Sequence, residues 1–237
     1  MTSEQQTQIR EYLLSRNLPI DLLMEVQDHF MTQIAELQKQ ELTFEQAFKK
    51  TKDSWLPDLR FSSYNVRFDL NDVSKFEKKV RNRQQIPMLK KSLLLSMVTC
   101  AVLYLSAYFI SEAAFGYFFI AVLGSLMIVP LMVYFYNIKL FRLIKQYDNY
   151  KLTTLQNTTQ ISAITAGSSA VILYNGLQYI AYFHPIMTGS ISLRFVIVVM
   201  LVFMFATIHL YCLLSQFFYL QQIKRIQPFL QYLKSST

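Results

Sequence analysis

Charge is what the later part of this 237-residue chain lacks. Of its 38 Asp, Glu, Lys and Arg residues, 28 fall in positions 1–91 and only ten in positions 92–237. An average soluble domain is about one-quarter charged, whereas this chain is 16% charged and 53% apolar. That split excludes a single soluble globule and a disordered chain. Cysteine is nearly absent. The two present, Cys100 and Cys212, both sit in apolar runs, where they read as small apolar fillers. A disulfide-rich secreted module is excluded with them. Glycine is scarce, at five residues. No phosphate-cradling Walker motif, nucleophile elbow or dinucleotide fingerprint occurs. No H-E-x-x-H and no metal-spaced cysteine cluster occurs either, so the sequence predicts no metal, no cofactor and no enzymatic activity.

What is present is hydrocarbon-compatible sequence. Residues 92–111, 113–138, 152–193 and 195–223 carry no Asp, Glu, Lys or Arg. A bilayer core about 30 Å thick takes about 20 apolar residues of helix at about 1.5 Å each. The third run begins with a Thr-, Gln- and Asn-rich stretch, 152–160, too polar for a span. Spans are expected near 92–110, 114–136, 161–183 and 194–220, with Pro130 kinking the second. Helix is the expected backbone, since an unpaired peptide group in lipid costs several kcal/mol, and the runs lack the alternation of barrel strands. The predicted fold is all-α: a four-helix transmembrane bundle with an N-terminal cytosolic three-helix mini-domain. Its parts are residues 1–55 as head, 56–91 as basic juxtamembrane segment and 92–237 as membrane domain.

Lys and Arg counts orient the spans. Seven lie in 75–91, four between the second and third spans and three after the fourth, against Arg194 alone in the other loops. Both termini are therefore expected in the cytosol, with the chain in a cytoplasmic (inner) membrane. Residues 1–17 are polar, with no apolar signal-peptide core, so the first span is expected to act as its own insertion signal. Residues 61–91 carry a net charge of +5, which suits anionic headgroups. No recognition motif accompanies that charge, so no nucleic acid is expected as partner.

The head reads as three amphipathic helices. Ile9, Tyr12 and Leu13 stripe the first, and Leu18-Pro19 breaks it. Leu22, Val26, Phe30, Ile34 and Leu37 recur at helical spacing in the second. Thr43 and Gln46 form a capping box ahead of the third, which gains its apolar side from Phe44, Ala47 and Phe48. Trp55-Leu56-Pro57 is expected to end the mini-bundle, whose three helices fill residues 1–55. Asn71 or Asp72 is expected to cap a following basic helix that runs through Arg83.

With Glu25-Val26-Gln27-Asp28-His29 followed by Thr43-Phe44-Glu45-Gln46-Ala47, the stretch 9–55 resembles the HAAS-type helical signalling module. That module stands ahead of transmembrane helices in many bacterial proteins, often beside PadR-like regulators. Its pattern is E-x-x-D-H, a short turn and (S/T)-x-E-(E/Q)-A. The chain departs from it at the turn, where Gln40-Glu41 replaces a usual Gly, and after the third helix, where no Leu-Gly follows. The resemblance implies a membrane-tethered adaptor or regulator that binds a protein partner. Glu25, Asp28, His29 and Glu45 are the head's candidate partner-binding residues.

Within the spans, Asn175, Gln178 and His209 form a candidate polar cluster. Antiparallel packing of the third and fourth spans leaves Asn175 and His209 about 5 Å apart in depth. An interhelical hydrogen bond is the favoured reading, and a proton or substrate relay the other. Ser162, Ala163, Ala166, Gly167 and Ala170 offer a small-residue packing face. Two basic amphipathic pieces, 138–152 and 223–233, read as helix extensions or surface-lying helices. The sequence thus favours a non-enzymatic membrane regulator or adaptor that sits in the lipid bilayer, binds a protein and is open to homo-oligomer formation. The alternative is a small oligomeric transporter or channel subunit. A lipid-acting enzyme would have to use Glu112, His184 and Arg194 on the outer side.

Overall fold

A computed structural model describes residues 1–62, 73–147, 150–156, 174 and 180–235. Among them the chain is helical apart from one strand pair of two residues each. The order is α1 (Ser3–Leu14), α2 (Ile20–Gln38), α3 (Phe44–Leu59), β1 (Phe61–Ser62), β2 (Val73–Ser74), α4 (Lys75–Phe109), α5 (Glu112–Tyr136), α6 (Ile138–Gln146), α7 (Ile180–Thr188) and α8 (Leu193–Ser235). The strands pair antiparallel, Phe61 opposite Ser74 and Ser62 opposite Val73, a feature absent from the sequence expectation.

Three helices, α4, α5 and α8, are long and apolar enough to cross a membrane. Their outward faces carry what a water-soluble fold would bury: Leu94, Met97 and Leu105 on α4, and Met200, Leu201 and Met204 on α8, are all exposed. The span expected at 161–183 lies outside the described residues except for Tyr174 and the start of α7, and so does the small-residue face from Ser162 to Ala170.

Two compact units emerge. The first gathers Met1–Gln84, Arg142–Gln156 and Gln221–Thr237; the second gathers Gln85–Phe141 and Asn157–Leu220.

In the first unit, α1, α2 and α3 share one apolar core that includes Ile9, Leu13, Val26, Phe30, Ile34 and Phe48. The stripe expected on α2 is buried throughout. Phe30 lies between the rings of Tyr12, 6.0 Å away, and Trp55, 5.5 Å away. Trp55 in turn donates from its ring N–H to Gln33 Oε1 at 3.0 Å and meets Phe76 of α4 edge-on at 5.8 Å. Helix starts are fixed by capping boxes on α1 (Thr2 with Gln5) and on α3 (Thr43 with Gln46).

Two local expectations are corrected. α3 runs two residues past Pro57 to Leu59, because a proline in the last turn removes a single ladder bond and Leu59 is fully buried in the core. The expected caps Asn71 and Asp72 lie outside the described residues. α4 begins instead at Lys75, where the Ser74 hydroxyl accepts the Glu77 N–H at 3.1 Å. The two basic pieces resolve differently: 223–233 is the continuation of α8, while α6 is a separate helix with Lys139, Arg142 and Lys145 exposed.

In the second unit, Leu103 and Ala107 of α4, Phe115, Phe119 and Leu123 of α5, Met187 of α7 and Val202 of α8 form a shared core. Phe119 stacks on Phe183 at 4.5 Å. A hydroxyl pair, Thr207 and Ser96 at 3.0 Å, joins α8 to α4. Pro130 lies inside α5, and neither cysteine is in a disulfide.

Candidate functional site

α2 starts without a side-chain cap, because Pro19 precedes it and offers no polar atom. The first N–H groups of a helix still need acceptors. They find them in the 151–156 segment: Ile20 N–H donates to the Lys151 carbonyl at 2.8 Å and Asp21 N–H to the Leu152 carbonyl at 3.3 Å. A connection that follows α6 thus serves as the cap of a head helix, all within the first unit.

Side chains gather around that contact. Asp21 Oδ1 accepts the Leu22 N–H at 3.0 Å. Asp21 Oδ2 lies 3.4 Å from both the N–H and the hydroxyl oxygen of Thr154. The Thr154 hydroxyl also faces Gln84 Oε1 of α4 at 2.8 Å, and Gln222 of α8 donates to it from Nε2 at 3.4 Å. Beside them Lys151 Nζ pairs with Glu77 Oε2 at 3.7 Å, the glutamate almost wholly buried. Arg81 is buried four residues after Glu77, on the same face of α4. Thr153 is 2% exposed, and its hydroxyl has no partner among the described residues. Apolar packing closes the floor, since Ile20, Leu152 and Leu155 are fully buried.

Burial of its carboxyl pushes the pKa of Asp21 from the ordinary 3.8 up to about 7. The N–H groups of Thr154 and Leu22, then the Thr154 hydroxyl, oppose that rise, and the Glu77 carboxylate adds slightly to it.

The residues expected from sequence stand elsewhere. Glu25 and Asp28 on α2 and Glu45 on α3 are exposed. His29 is exposed too, its ring 6.2 Å from that of Trp55. Asn175 and Gln178 lie outside the described residues. His209 is buried on α8, with Nδ1 2.8 Å from the Phe205 carbonyl and Nε2 lacking a partner among the described residues. Of the outer-side set, Glu112 is exposed and His184 meets Phe115 edge-on at 5.6 Å. Arg194 instead lines an open groove of about 320 Å³ with Tyr182, Ile186 and Ser192, which contains neither Glu112 nor His184. No group of three or more His, Cys, Asp and Glu able to hold a metal occurs among the described residues.

Asp21, Glu77, Gln84, Thr154 and Gln222 escaped the sequence reading. One signal pointed their way: a helix start at Pro19-Ile20 with no capping side chain, and a Thr-rich stretch too polar to be membrane. Comparison with known proteins finds no matching family model, curated protein or solved structure.

Proposed function

We propose that this protein is a non-enzymatic regulator or adaptor of the bacterial inner membrane, whose helical head binds a protein partner. In this reading the chain crosses the bilayer four times as a helix bundle, 161–183 supplying the remaining span. Both termini lie in the cytosol, and residues 1–55 form a three-helix mini-domain. The surplus of Lys and Arg on one side of the spans supports that orientation, and the resemblance of 9–55 to HAAS-type modules supports the adaptor role.

One observation carries the reading: the 151–156 connection supplies the acceptors for the first turn of α2. A shift in the helices flanking the connection would withdraw two carbonyls from the N-terminus of a head helix. Uncovering such an end costs on the order of 1 kcal/mol per lost cap, enough to alter a small domain. The exposed Glu25, Asp28, His29 and Glu45 then present that change to the partner.

The test is affinity purification from native membranes, of full-length protein and of a form lacking residues 1–60. Partners that vanish with the head support the reading; a head deletion that leaves every partner and phenotype intact contradicts it.

A second reading, a small oligomeric transporter or channel subunit, draws on the buried polar side chains of α8, where His209, Ser215 and Gln216 are at most 4% exposed. Purified protein in liposomes separates the two, because only a transporter yields flux that His209→Ala removes.

A further inference from the structure

We propose that Asp21 and Thr154 form a proton-operated latch: neutral Asp21 holds the 151–156 connection on the first turn of α2, and ionised Asp21 releases it. The latch deepens the adaptor reading and rests on it.

The geometry argues for a neutral carboxyl in the docked state. A threonine hydroxyl has one proton to give. Here that proton has two acceptors, Gln84 Oε1 at 2.8 Å and Asp21 Oδ2 at 3.4 Å, and the shorter contact takes it. An ionised Asp21 Oδ2 is then left facing the lone pairs of the hydroxyl, with a single long N–H contact from Thr154. A neutral Asp21 donates its own proton instead. The chain then runs from the Asp21 carboxyl to Thr154 Oγ1 and on to Gln84 Oε1, each donor with an acceptor.

The charged group that acts on the carboxyl is Glu77 of α4. Arg81 stands one turn further along α4, and the connection brings Lys151. Lys151 is engaged by Glu77 and is not bonded to Asp21. α8 brings the neutral Gln222, while its Lys224 and Arg225 are exposed. α1 and α3 place no hydrogen-bonding or ionic group on Asp21 among the described contacts. Release would expose Leu152 and Leu155 and free the N–H groups of Ile20 and Asp21.

Hydrogen–deuterium exchange on the full-length protein in nanodiscs reads the latch directly, through the amides of residues 20 and 21. Rates at about pH 5 and about pH 8 are corrected for intrinsic chemistry, and Trp55 fluorescence verifies that each variant is folded. With a docked carboxyl titrating at about 7, protection should fall about a hundredfold between the two conditions. Asp21→Asn, which stays neutral and keeps a donor, should hold its protection at both. Thr154→Val should be unprotected at both. A wild type equally protected at both conditions, or Asp21→Asn as pH-dependent as the wild type, overturns the latch while leaving the docked connection standing. Thr154→Val as protected as the wild type at both conditions also overturns the latch, the Lys151 and Leu152 carbonyls then holding the connection without the hydroxyl; a wild type unprotected at both conditions removes the docking on which the adaptor reading rests.

Discussion

Thr154 and Asp21 meet across 133 residues of sequence, the N–H and the hydroxyl of one both 3.4 Å from the same carboxylate oxygen of the other. The contact ties a connection beyond α6 to the first turn of a head helix. Gln84 and Gln222 join from α4 and α8 at the Thr154 hydroxyl, so α2, α4 and α8 all meet the connection at one threonine.

Stability of the first unit should depend on pH with a definite sign. The pKa of Asp21 is raised in the folded state, to about 7 from 3.8. A raised carboxyl contributes stability that is complete below the unfolded value and is lost as pH climbs through the folded one. The thermal midpoint followed by Trp55 fluorescence should therefore be higher at about pH 5 than at about pH 8, and Asp21→Asn should narrow that difference. A midpoint that rises with pH over this interval through Asp21 would contradict the assignment.

Phe30 is the centre of the head core, fully buried between Tyr12 and Trp55. Phe30→Ala should cost about 3–5 kcal/mol, from lost transfer energy and the cavity left behind. The chain has a single tryptophan, Trp55, so its emission reports on this unit alone. The variant should shift that emission to the red and lower the denaturant midpoint.

Glu41 adopts φ of +66°, in the left-handed region that costs an L side chain about 1 kcal/mol or more. Glu41→Gly should relieve the strain and stabilise the head by up to about 1 kcal/mol, less the entropy glycine loses on folding. Urea titration checks it, and a marked loss of stability would show that the Glu41 side chain has a role of its own.

The apolar helices and the head's stripes were legible because periodicity and charge are local properties. The Thr43–Gln46 box was legible for the same reason, since its two partners stand three residues apart. Asp21 was not. Its distant partner is Thr154, which in turn meets Gln84 and Gln222, and nothing in the run Pro19-Ile20-Asp21 says which distant carbonyls will cap that helix. Glu25, Asp28, His29 and Glu45, singled out as candidate partner-binding residues of the head, are exposed. The length of α3 beyond Pro57 was hidden too, because the burial of Leu59 that offsets the proline is a tertiary effect.

Membrane-impermeant thiol labelling decides whether the head and the 151–156 connection share one side of a bilayer. Single cysteines introduced as Glu25→Cys, Lys145→Cys, Lys224→Cys and Ser190→Cys, in a background with Cys100→Ala and Cys212→Ala, all replace exposed residues. In sealed vesicles of known orientation, positions 25, 145 and 224 should label together from the cytosolic side and position 190 from the other. Positions 25 and 145 reporting from opposite sides would contradict the account, for the connection then has no route to the start of α2.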